Sequence, residues 1–139
     1  MNPGRVALAT VGAFVTFFVL GGLTFAVAPF LRDEFRKHPT VYRSQDTTMR
    51  YMPVGMVAMF LAMLALVVLY AMTAKSSSGL AGGTIFGALI GVFAIGFFVV
   101  HNYVNLNIGA QLTVYSAVAC LIQWTLTGMV IGLIYRPAS

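Results

Sequence analysis

The chain has 139 residues, of which 60% are hydrophobic and only 8% charged, with a mean hydropathy of +0.92. A soluble globular domain carries about a quarter of its residues as Asp, Glu, Lys and Arg, so this composition excludes that class and points to an integral membrane protein. The net charge of +5 does not signal nucleic-acid binding, because Arg5, Lys75 and Arg136 stand singly at the ends of apolar segments, where membrane-flanking cations belong.

Spans of about 20 residues each would divide the chain into four helices plus connectors, as a single transmembrane domain covering 1–139. The first span is expected over about 6–31. Its opening, Met1-Asn-Pro-Gly-Arg, resembles the start of a signal peptide. The apolar run that follows is too long for one, and no small-x-small site bounds a short apolar core, so it reads as a retained span. Gly22 and Ala26 form a small-xxx-small pair on it.

The connector over 32–50 holds all three acids and five of the eight Lys and Arg residues. Asp33 and Lys37, like Glu34 and His38, are four apart and would pair on a helix, with Phe30, Leu31 and Phe35 as its apolar edge. Pro29 starts or kinks this segment and Pro39 stops it. Two readings stand here: a short interfacial helix between the first two spans, or a docking surface for a partner. The connector's five cations against three on the opposite side lean toward a cytoplasmic connector, although the turn at 101–107 on that same side carries no Lys or Arg.

The second span is expected over 51–74, with Ala58 and Ala62 as its small pair, and a tight polar turn from Lys75 leads to the third, over 80–100. Gly79, Gly83, Gly87 and Gly91 recur there every fourth residue, which draws a stripe without side chains down one helix face. In lipid, small residues let backbones approach, and dispersion packing replaces the hydrophobic effect between helices. The stripe therefore marks a contact line, either within one bundle or between copies or partner subunits.

A short polar turn containing His101 leads to the fourth span, expected over 108–135, with Gly128 and Gly132 as its small pair. Short connectors force neighbouring spans to run in opposite directions, so the expected fold is all-α: an antiparallel bundle of four transmembrane helices. Strands alternating polar and apolar residues are absent, which argues against a barrel. Embedded polar side chains concentrate on the fourth span, where Gln111, Ser116, Gln123 and Trp124 are candidates for interhelical hydrogen bonds or for a ligand pocket.

Chemistry finds little footing. The spans lack the internal Asp, Glu, Lys or Arg that proton-coupled carriers and voltage sensors need. No histidine pair is placed within spans to ligate a haem, Cys120 is the single cysteine, and no Ser, His and acid arrangement is present. No catalytic residue, metal site or cofactor is expected.

The second half, GGTIFGALIGVFAIGFF followed by a polar turn and IQWTLTGMVIGLIYRP, resembles small uncharacterised four-span membrane proteins found widely in bacteria. The resemblance covers residues 80–137 best. It implies a bacterial cytoplasmic membrane location and carries over no activity. The expected role is a non-catalytic bundle, accessory subunit or scaffold of a membrane complex, whose surroundings are the lipid bilayer. The alternative is a small transporter or a protein that binds lipid or another small molecule near Gln111, Ser116 and Gln123.

Overall fold

In the computed structural model, which describes residues 1–74 and 79–136, every regular element is helical. The expected turn residues Lys75 to Ser78, and Pro137, lie outside the described residues. Helix α1 spans Pro3–Val27. The Asn2 side chain caps it by accepting from the Arg5 amide at 3.2 Å, and Pro3 occupies the first turn, where a missing N–H costs nothing.

The first apolar segment stops four residues short of its expected end. Ala28 leaves helical geometry (φ −122°, ψ 69°), since the ring of Pro29 disfavours the α conformation in the residue before it. Pro29 then starts α2, which spans Pro29–Arg36. Leu31 is buried, and the Phe30 ring meets Tyr115 edge-on at 4.8 Å between centroids. The ion pairs on this helix join residues three apart, Asp33 to Arg36 at 3.8 Å and Glu34 to Lys37. The fourth-residue pairs read from the sequence do not form, because α2 ends at Arg36 before a further turn is completed.

Helix α3 spans Gln45–Thr73 and begins six residues before the expected start of the second span. Ser44 explains the extension: its hydroxyl caps the Thr47 amide and its carbonyl accepts from the Thr48 hydroxyl at 3.0 Å. Pro53 lies inside this helix, where its ring removes one amide donor. Helix α4 spans Gly79–Ala94 and runs through a π-helical turn, Ile95–Val100, into α5, His101–Asn105. Helix α6 spans Ala110–Ile134. Four helices, Pro3–Val27, Gln45–Thr73, the continuous Gly79–Asn105 and Ala110–Ile134, are long and apolar enough to cross a membrane.

The long helices pack in the order α3, α1, α6, α4, with the α4–α6 contact the most extensive. Helix α1 is the middleman, lying against both α3 and α6. Chain neighbours α3 and α4 meet only lightly, through Tyr70, whose hydroxyl donates to the Gly79 carbonyl at 3.3 Å and whose ring meets Phe86 at 5.2 Å. Around Tyr70 the core gathers: Val6, Ala9 and Ala13 from α1, Met63 and Val67 from α3, and Ile131 with Tyr135 from the end of α6. The Arg5 guanidinium donates to the Arg136 carbonyl and ties the start of α1 to the close of α6, where a cation also complements the helix dipole.

Candidate functional site

Helix α6 presents two unlike faces. On one, Gly128 and Gly132 lie directly against Gly83 and Gly87 of α4, and all four are buried. A methyl group added to Gly87 would sit 2.9 Å from the Gly128 Cα, and one added to Gly83 would sit 2.7 Å from the Gly132 Cα. Both are shorter than a van der Waals contact between carbons, so the seam closes backbone to backbone and only glycine fits it. Gly91 continues the line more loosely, facing Leu121 with a would-be methyl 3.3 Å from its Cα.

Gly79 has a different part. A methyl on it would meet nothing within 4 Å, but its φ of +37° is a conformation that other residues rarely adopt, and its carbonyl occupies the space a Gly132 side chain would need. Ala58 and Ala62 are both exposed on α3, as are Gly22 and Ala26 on α1. The buried side of α3 is instead made by Met63, Val67 and Tyr70. The small pairs read from the sequence on α1 and α3 are thus exposed, and the small residues that α1 does bury are Ala9 and Ala13, in one cluster with Met63, Val67 and Tyr70.

On its other face α6 carries Gln123. The Gln123 amide donates to the Phe17 carbonyl of α1 at 2.7 Å. Gly21 makes room for that bond, because a methyl there would lie 3.2 Å from the amide nitrogen. Phe17 is already engaged within its own helix, so the glutamine adds a second donor to a carbonyl with two lone pairs. The Trp124 ring rests on Phe17 at 4.6 Å between centroids, which seats the indole at the edge of the core.

Beyond this bond, α1, α2 and α6 diverge around a groove of about 500 Å³. Leu23, Val27, Phe30, Val118 and Ile122 make its walls, and Gln123 and Tyr115 bring polar atoms to it. Gln111 reaches the groove only indirectly, by donating to the Tyr115 hydroxyl at 2.9 Å. Ser116 is half-buried and is not part of the lining. Among the described residues the Gln123 amide oxygen has no hydrogen-bond partner, which leaves an acceptor beside an otherwise apolar trough.

The remaining polarity of α6 is consumed locally. Thr113, Thr125 and Thr127 donate to the carbonyls of Gly109, Leu121 and Gln123, each four residues earlier, at 3.2, 2.7 and 2.8 Å. Such back-bonding satisfies a hydroxyl without a second helix. Among the described residues, the groove lining has no carboxylate, imidazole or ammonium group, so what it offers an apolar molecule is the Gln123 amide and the Tyr115 hydroxyl. Among the described residues, no three His, Cys, Asp or Glu side chains come together as a metal-binding group.

Two glycines that shape these contacts carry no sequence signal of the four-residue kind. Gly12 admits Ile134, whose terminal carbon would lie 2.5 Å from an added methyl, and Gly21 admits Gln123. They are nine apart, two and a half turns of an ideal helix, a spacing outside the three- and four-residue repeat that marks a single face. Comparison with protein families, with curated proteins and with solved structures yields no match.

Proposed function

We propose that the chain is a multi-pass protein of the bacterial cytoplasmic membrane, an antiparallel four-span bundle with α2 in the interface, acting as a non-catalytic accessory subunit or scaffold of a membrane complex. The observation that carries this reading is the closed α4–α6 seam. Glycine backbones in direct contact leave no passage between those helices, and no Asp, Glu, Lys or Arg lies in 6–27, 51–73, 79–100 or 110–134 to move a proton or sense a voltage. What the bundle offers instead is a stiff helix pair and a broad apolar outside, with Ile85, Leu89, Val92, Phe93 and Phe97 all exposed along α4 and the π-helical turn. An antiparallel course is supported by the pairing across the seam, where Gly91 meets Leu121 while Gly83 meets Gly132.

The test is native mass spectrometry of the protein taken from its own membrane in mild detergent. Retention of further protein subunits, or of a second copy, is the expected result. A bare monomer carrying a lipid or other small ligand would instead favour the second reading, a small transporter or a lipid- or small-molecule-binding protein. The groove beside Gln123 is what supports that alternative.

A further inference from the structure

A second cavity, of about 670 Å³, opens where the end of α1, helix α2 and the start of α3 converge. Its lining contains three arginines, Arg32, Arg36 and Arg43, and, among the described residues, no Asp or Glu. The three acids of the connector lie close in sequence yet outside this lining. Their neutralising effect is slight. Arg36 faces Asp33 at 3.8 Å, but both side chains are about two-thirds exposed, and such a pair contributes little. Arg43 lies over the Tyr51 ring at 4.2 Å, a contact that orients the cation without cancelling its charge. Arg32 has no ion pair or hydrogen bond among the described residues.

The rest of the lining is chiefly apolar. Phe25 enters from the last turns of α1 and Met52 from the first apolar turns of α3, both where the membrane-crossing stretches begin. Tyr42 closes one wall, and burial raises its phenol above the ordinary value near 10, so it stays a neutral donor at physiological pH. A free inorganic anion would use the cations and waste the apolar wall. A neutral lipid would use the wall and leave the three cations without a matching anion.

We propose that this cavity binds one anionic glycerophospholipid, its phosphate held by Arg32, Arg36 and Arg43 and one acyl chain descending past Phe25 and Met52. The inference shares with the proposed function the reading of the long helices as membrane spans, and is otherwise independent of any subunit or scaffold role. Guanidinium forks match phosphate oxygens in geometry as well as charge, and basic pockets at the ends of spans are suited to acidic headgroups.

The full chain, delipidated in mild detergent, is offered phosphatidylglycerol or phosphatidylcholine of identical acyl chains and examined by native mass spectrometry. One phosphatidylglycerol is expected to remain bound and phosphatidylcholine to be lost. The variant R32Q/R36Q/R43Q should bind phosphatidylglycerol at least about tenfold more weakly, given the ~1 kcal/mol that each basic residue contributes near an anionic surface. Met52→Trp, which adds bulk at the apolar end of the cavity and keeps every charge, should also weaken retention of the lipid. Co-flotation of wild type and both variants with phosphatidylcholine vesicles checks membrane insertion separately. Failure of the wild type to float would overturn the membrane reading itself. Equal retention of both lipids, unchanged binding by the triple variant, full binding by Met52→Trp, or displacement of the lipid by millimolar inorganic phosphate would each overturn the lipid site.

Discussion

The two faces of α6 solve opposite problems with the same helix. Toward α4, Gly128 and Gly132 remove every side-chain atom, so that two backbones touch and nothing else fits between them. Toward α1, Gln123 reaches across to a carbonyl while larger residues on either side hold the helices apart, and a groove of about 500 Å³ follows. The difference shows how contact in lipid is set. Dispersion at close range makes the first face rigid; one polar bond makes the second specific and leaves it open.

The largest effect should come from closing off the first face. Gly87→Leu places a branched side chain where a single methyl already lies 2.9 Å from the Gly128 Cα, so the helices must part along their length. Overpacking of this kind costs about 1–3 kcal/mol for small additions and more for large ones. Thermal unfolding in detergent, followed by helicity and by size-exclusion profile, should show loss of a defined melting transition. A variant that keeps the wild-type melt as a monomer, but loses a dimer, would place the seam's importance between chains and not within one.

A smaller effect is expected on the second face. Gln123→Leu deletes the bond to Phe17 and leaves that carbonyl its own helical partner, so the loss should be near the ~0.6–1.7 kcal/mol measured for hydrogen bonds between membrane helices. Reversible unfolding in mixed micelles would report it. No loss at all would mean that the two helices are held by Trp124 on Phe17 and by Gly12 against Ile134, with the amide idle.

The smallest effect belongs to a glycine that lies on neither face. Gly22→Ala adds a methyl with nothing within 4 Å, and the expected change is within about 0.5 kcal/mol by the same unfolding measurement, with a slight gain from helix propensity. A loss as large as that of Gly87→Leu would mean that Gly22 packs against something beyond the single chain.

These contrasts also mark what could be read from residues alone. Four apolar segments and a helical class are legible because composition and length leave no other way to satisfy a backbone in lipid. Boundaries are less legible. Pro29 divides the first segment and Ser44 starts α3 early, and both are local effects of one residue on its neighbours, visible in the sequence but outweighed by the apolar run in any reading of spans. A four-residue glycine period is visible as spacing, yet it cannot say which helix it meets, and small pairs such as Ala58 and Ala62 look the same whether exposed or packed. The polar residues of α6 were legible only as a list. Whether a threonine bonds its own helix or another depends on a rotamer, and only Gln123, with a longer reach, crosses to α1.

The packing order α3, α1, α6, α4 has a consequence for synthesis. Phe17 and Gln123 are separated by 106 positions, so α1 must be made and inserted long before its second neighbour leaves the ribosome. Until then the first two spans form a half-finished pair whose inner surface, including the Phe17 carbonyl and the trough beside it, is bathed in lipid. The last two spans can pack along their glycines as soon as both are made. The bond from Gln123 to Phe17 can therefore form only after the last helix has been made, and it closes the contact between the first helix and the last.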